Sequence, residues 1–267
     1  MLAKENNIIY PKSLAKNSLL LDRSNKVCQS LVGFIMLFLS LFISLPAYSV
    51  ELPNFKAVFD VEAIGITLGQ AKQSFICQQQ KCTLKSDAKP SGLAAAFFKD
   101  SSHETVQLLQ NDNQLNWLSY HKLGISYKGD KAKEKHLNLT YNAKTDMVDY
   151  PQKKREWPMR ENLFDSVSIA YAIQHAILNK QPIDNFTLQD SNFQDKLIHK
   201  ATDKHNFVDL DFADDSLDAV KYSFTSNHVN IELWLLPKYN YFPGKIRIVN
   251  KEEKTITLSL AEPPNFL

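Results

Sequence analysis

Glycine occurs only seven times in 267 residues and cysteine only three times. No glycine-rich loop able to cradle a phosphate is present, and no set of cysteines has the spacing of a zinc site. The motifs G-x-S-x-G and H-E-x-x-H are also missing, which removes the common serine-hydrolase and zinc-protease arrangements. Charge of one sign is lacking too: 31 basic side chains face 29 acidic ones. Nucleic acid is not an expected partner, because its phosphates normally need a basic field.

Long hydrophobic runs are scarce, and the one present is short. Leu31–Leu45 holds fifteen residues without a charge, preceded by Arg23 and Lys26 and followed by Pro46, Ala47 and Ser49. A basic flank, a short apolar run and small residues describe a secretory signal peptide cleaved after Ser49. A membrane span wants about 20 apolar residues, so no stable span is expected after cleavage. Cys28 precedes the apolar run, the wrong side for a lipid-modified cysteine. The expectation is a periplasmic protein in which residues 50–267 form one exported β-rich domain. Without residues 1–49 the chain keeps 26 basic and 27 acidic side chains.

Cys77 and Cys82 are the cysteines left to that domain. Strand-like runs flank them, so Gln78–Lys81 is expected to be a hairpin loop with the two facing across it. Opposed strand residues have Cβ atoms about 4.5–5.5 Å apart, and a disulfide wants about 3.5–4.5 Å. A slight pinch closes that gap, and an oxidising compartment favours the bond. A four-residue separation is not the two-residue spacing of a redox pair.

Most of what remains alternates like strands. Phe55, Ala57, Phe59 and Val61 share one face, and Gly65 and Gly69 mark a bend or bulge. Leu137, Leu139 and Tyr141 share another, and Ile256, Leu258 and Leu260 a third. Lys89–Lys99 fits a short helix or a covering loop. About ten to twelve strands are expected, with short, polar ones at Lys196–Lys200 and Phe207–Phe212. Short turns between them argue for an antiparallel meander. The single clean helical pattern is Asn162–Lys180. Leu163, Val167, Ala170, Ile173 and Ile177 recur at three- and four-residue steps, widened by Phe164, Tyr171 and Leu178. Asn162 fits an N-cap, and Pro182 ends the pattern. The fold class expected is mainly β: a long curved antiparallel meander or half-barrel covered by one principal helix.

Three patches resemble a family of bacterial envelope proteins known as domain-of-unknown-function family 3108. Phe55–Phe59 followed by Gly65–Ala71 resembles its aromatic opening strand and two-glycine turn. Pro158, Asp165, Ser168 and Tyr171 resemble its approach to the helix. Ile231–Trp234, Phe242–Ile246 and the strand ending at Leu260 resemble its closing strands. The resemblance implies a periplasmic location and a curved sheet like the incomplete barrel of lipoprotein carriers. It implies no reaction.

Catalysis is the least supported function class. Seven histidines are scattered among lysine, serine and asparagine; only His103 with Glu104, and Asp165 and Ser168 with His175, invite inspection. No metal or cofactor is expected. The aspartates Asp209, Asp211, Asp214, Asp215 and Asp218 lack the glycine and terminal glutamate of a calcium loop. Binding is the better expectation, since a half-barrel under a helical lid offers an apolar groove. Phe97, Phe98, Trp117, Leu163, Val167, Tyr171 and Trp234 are its candidate lining, or else ordinary core. The expected ligand is a lipid or other hydrophobic envelope molecule. The alternative is an adaptor that meets an envelope protein through a sheet edge or through Tyr239, Tyr241 and Phe242.

Overall fold

The computed structural model of the chain describes residues 50–267 apart from 64, 97, 98, 112 and 130. The expected signal segment, and Phe97 and Phe98, lie outside the described residues. Ser49–Leu267 forms one compact unit. The described residues are mostly β, an open, curved, essentially antiparallel sheet with one α-helix. No described helix is long and apolar enough to cross a membrane.

The first limb runs β1 (Phe55–Ala63), β2 (Ile66–Gln78), β3 (Lys81–Pro90), β4 (Ser101–Asn111) and β5 (Gln114–Lys128). It continues through β6 (Lys131–Asn142) and β7 (Met147–Tyr150) to β8 (Arg155–Pro158). After β9 (Leu163–Asp165) comes the helix α1 (Ile169–Leu178). The second limb is β10 (Phe186–Gln189), β11 (Gln194–Val208), β12 (Leu217–Thr225), β13 (Val229–Leu236), β14 (Phe242–Asn250) and β15 (Thr255–Leu260), with β16 (Asn265–Phe266) at the end. Each limb is a meander. They join at the middle of the sheet, where β1 pairs with β15, so that β8 and β9 are its two edges.

Four residues, Met159–Asn162, connect those edges, a reach of about 18 Å at most. The sheet must therefore curl until its edges approach. Side chains then bridge the seam where no ladder does: Gln194 Nε2 donates to Pro158 O at 3.0 Å and Arg155 Nη1 to Asn192 O at 3.2 Å. The curl stops short of closure, which leaves a half-barrel.

α1 lies in the hollow of that curl. Eight of its ten residues are buried, on every side of the helix, as expected of a helix enclosed by protein. Tyr171 packs on Phe55 and Phe242, with ring centroids 4.9 and 5.8 Å away. The helical stripe read from the sequence is real but too long at its start. Leu163–Asp165 forms a strand parallel to β10, and Asn162 has φ +50° instead of capping. The cause is local: Asp165 Oδ1 accepts the backbone N–H groups of Val167 and Ser168, at 2.8 and 3.0 Å. That satisfies donors a helix start leaves free, so the turn begins after Asp165.

Sixteen strands are formed among the described residues, more than the expected ten to twelve. Lys196–Lys200 and Phe207–Phe212 are not separate short strands; β11 runs unbroken through all of the first and ends at Val208 in the second, with register shifts after His199 and Asp203. Lys89–Lys99 becomes the end of β3 followed by a 3-10 turn at Gly92–Ala96. Gly65 turns the chain at φ +73°. Gly69 has a different reason: a Cβ there would stand 2.1 Å from the carbonyl oxygen of Lys89.

Cys77 and Cys82 are directly paired across β2 and β3 and form the disulfide, with Cα atoms 4.0 Å apart. The intervening turn is tighter than expected, with Gln79–Gln80 outside the ladder and Gln79 at φ 57°.

Candidate functional site

The helix and the inner wall of the sheet meet in a polar node. Asp165 is 1 % exposed, and its Oδ2 accepts from Trp117 Nε1 and from Ser168 Oγ, both at 2.8 Å. With the two backbone donors on Oδ1, four hydrogen bonds converge on one carboxyl. Burial pushes its pKa up, and those four donors pull against that rise. A second buried chain runs from Tyr171 Oη to Gln73 Oε1 at 2.5 Å and from Gln73 Nε2 to Ser86 Oγ at 3.3 Å. Both contacts tie the helix, or its start, to the sheet.

Three of the four residues singled out before and in the helix therefore have structural partners: Asp165, Ser168 and Tyr171. Pro158 closes β8, and its carbonyl takes the seam bond from Gln194. Asp165 and Ser168 are bonded to each other, but His175 shares no hydrogen bond with either; its Nε2 lies 3.3 Å from Asn179 Nδ2. With Ser168 wholly buried, no substrate reaches its hydroxyl. No group of His, Cys, Asp or Glu among the described residues could hold a metal ion.

The expected groove beneath the helix is filled. Trp117, Leu163 and Tyr171 are each no more than 1 % exposed, and Val167 is half-buried against the same core. Trp234 belongs elsewhere. It stands on the face of β13 opposite Ile231 and Leu233, between Lys221 and Lys245, with Nε1 donating to Asn206 Oδ1 at 2.8 Å. One-residue alternation along β13 sends it away from the hollow.

Two of the openings lie at opposite ends of the half-barrel. At the end carrying the disulfide turn, a cleft of about 560 Å³ opens between the β4–β5 turn, the Met159–Asn162 connector and α1. Its lining includes Asn113, Gln114, Asn116, Asn162, Gln181 and Asn185 over a floor of Phe164, Phe186 and His175. Burial lowers the pKa of His175 to about 4, so its ring is neutral near pH 7.

At the other end the strands outrun the helix. One face of β15 shows this directly: Leu260 is 1 % exposed, Leu258 is half-buried and Ile256 is 48 % exposed. Across the ladder on β1, Phe59 is buried while Val61 and Ala63 are half-buried. Ile248 on β14 continues the apolar wall. A pocket of about 400 Å³ lies here, lined by Val61, Leu68, Ala88 and Pro90 with Ser101 and Ser102. On the adjoining inner wall, Glu104 gathers Tyr120 Oη at 2.7 Å, Lys122 Nζ at 2.9 Å and Ser102 Oγ at 3.1 Å. Burial, then the carboxylate, drives the Tyr120 pKa up, so the phenol stays protonated and donates. The sequence offered a sign of this end in the alternation of Ile256 and Leu258. It drew attention to Glu104 only beside His103; the partners Tyr120 and Lys122 come from the next strand, β5, sixteen and eighteen positions on.

No protein-family model matches the chain, and no curated protein matches it. The resemblance to family 3108 thus stays a resemblance. Among solved structures, the chain is similar to a β-barrel-like protein of domain of unknown function DUF1849 from Brucella abortus. Identity is 10 %, the match covers 82 % of this chain and 99 % of that one, and the TM-score is 0.47.

Proposed function

We propose that this protein is a non-catalytic binding protein of the bacterial envelope that takes an amphiphile into the unfilled end of its half-barrel. The observation that carries the reading is the exposure gradient from Leu260 to Ile256 on the inner face of the sheet. Apolar side chains there face the hollow without a covering element, at a cost of about 25 cal/mol per Å² left in water. An acyl chain laid on Val61, Ile248, Ile256 and Leu258 removes that cost. The Glu104, Tyr120 and Lys122 cluster supplies charge and hydrogen bonds for a polar head. This moves the expected hydrophobic ligand from beneath the helix to beyond it.

Export to the periplasm, expected from Leu31–Leu45 and Ser49, belongs to the same proposal. The Cys77–Cys82 disulfide supports it, since such bonds persist in oxidising compartments. The narrower likeness to family 3108 rests on the three sequence patches and agrees in location and shape.

One observation favours an adaptor as the second reading. Lys131–Leu139 of β6 and Ile198–Val208 of β11 are hydrogen-bonded to a neighbour on one side only. Free edges of that length accept added strands. The readings separate by experiment. Protein purified from the periplasm is extracted with organic solvent, and the extract is run by mass spectrometry. A stoichiometric amphiphile, lost in an Ile256→Lys, Leu258→Lys variant that still folds, supports the carrier. An extract without lipid, together with no binding of added lysophospholipid or fatty acid, ends that reading and leaves the adaptor.

A further inference from the structure

The cleft at the disulfide end has a chemistry that the amphiphile reading does not use. Its rim is made of amides: Asn113 from the β4–β5 turn, Gln114 and Asn116 from β5, Asn162 from the connector, and Gln181 and Asn185 after the helix. These come from three separated stretches of chain that the fold brings to one opening. Gln181 is held in place, its Nε2 donating to the carbonyl of Asn113 at 2.6 Å. That bond ties the segment after α1 to the opposite wall. The side chains of Gln114, Asn116, Asn162 and Asn185 hydrogen-bond to no other described residue.

An amide carries two donors and two acceptor lone pairs without a charge. A ring of them matches a ligand that has many donors and acceptors and no net charge. The floor has the complementary character. Phe164 and Phe186 meet there with centroids 6.0 Å apart, backed by Ala172 and Ala176 of α1; all four are buried, so they close the base of the cleft and the rim carries the recognition. Glu161 is the one ionised lining group, which disfavours phosphorylated or other strongly anionic ligands. The volume, about 560 Å³, falls within the roughly 300–1,000 Å³ of small-molecule sites.

We infer that this cleft binds a neutral oligosaccharide segment, its hydroxyl or acetamido groups paired with the amide rim. The site is for binding and not for cleavage. Glycoside hydrolysis by the usual route needs two carboxyl groups flanking the bond, and Glu161 stands without a second one in the lining. The inference is independent of the amphiphile reading, because cleft and hollow open at opposite ends of the strands and share no lining residue.

The test uses residues 50–267 carrying the intact disulfide, titrated with two neutral probes, tetra-N-acetylchitotetraose and maltotetraose. Amide shifts in ¹H–¹⁵N spectra report the site. Saturable binding of at least one probe is expected, with shifts confined to Asn113–Asn116, Glu161–Phe164 and Gln181–Phe186. An Asn116→Ala, Asn185→Ala double variant should weaken it about tenfold. Both side chains sit on the rim and not in the core, so the fold is retained, and an Ile256→Lys variant at the far end should bind the sugar as the parent does. No saturable binding of either probe at 10 mM would overturn the inference, as would binding unchanged in the double variant or shifts that map to the open end.

Discussion

The two ends of the half-barrel are built from the same strands and differ in what lies inside them. At the disulfide end the inner face is occupied by α1. Phe55, Phe59, Phe75, Leu84, Val106 and Leu139 are all within 1 % of full burial. Further along those same strands, β1, β4 and β15 present half-buried or exposed side chains to the hollow. A sheet of this length curls, and a hydrophobic face needs a second layer. The helix provides that layer for one end only. The strand length beyond it adds little core, so stability and ligand binding are divided between the ends.

Breaking the filled end should have the largest effect. Phe242 is wholly buried and packs on Phe55, Phe59, Tyr171 and Phe266. Phe242→Ala should cost about 3–5 kcal/mol, read as a lower urea midpoint at unchanged slope. A cost below about 1 kcal/mol would mean that the helix is not the centre of the packing.

Acid should act on the same end. His175 has a folded-state pKa of about 4, below the ordinary value of 6.5. Between those values the unfolded chain takes up a proton that the folded chain does not. Stability is therefore full above about pH 6.5 and falls as pH drops toward 4, by at most about 3 kcal/mol. His175→Gln should flatten that part of the profile of stability against pH. An unchanged slope in the variant would show that His175 is solvated.

Reducing Cys77–Cys82 should have a smaller effect. The bridge spans a sequence separation of 5, and closing so short a loop is worth about 2 kcal/mol in the chain-entropy treatment. The bond reinforces a turn at the filled end. Amphiphile binding at the open end should survive reduction, measured by lysophospholipid titration under native conditions.

The contrast between the ends was only half legible in the sequence. Strand alternation was plain in β15, where Ile256, Leu258 and Leu260 share one face as the sequence implied. β11 read as fragments because exposed lysines and histidines interrupt it and two register shifts break its period. Leu163–Asp165 read as helix because its spacing also fits a helical stripe, and pairing with β10 is a tertiary fact. Asp165 was inspected beside Ser168 and His175, and its local partners are Val167 and Ser168. That Trp117, forty-eight positions away, completes its shell could not be read from spacing. The amide rim was invisible for the same reason, since each asparagine or glutamine alone reads as an ordinary turn residue.

The smallest effect on stability should come from the open end, and it is the most informative. Ile256 is 48 % exposed although it shares the inner face with Leu260. Ile256→Ser removes few contacts, so the stability read from urea unfolding should fall by no more than about 0.5 kcal/mol. If the hollow receives an acyl chain, the same change removes part of the surface that the chain covers, and lysophospholipid affinity should fall several-fold. Glu104→Gln should act on the head group instead, changing which probe binds best among anionic, zwitterionic and cationic lysolipids. A destabilisation of 2 kcal/mol or more by Ile256→Ser would mean that this end is packed in solution. In that event the division between a filled and an unfilled end fails, because the hollow would hold protein and leave no room for a ligand.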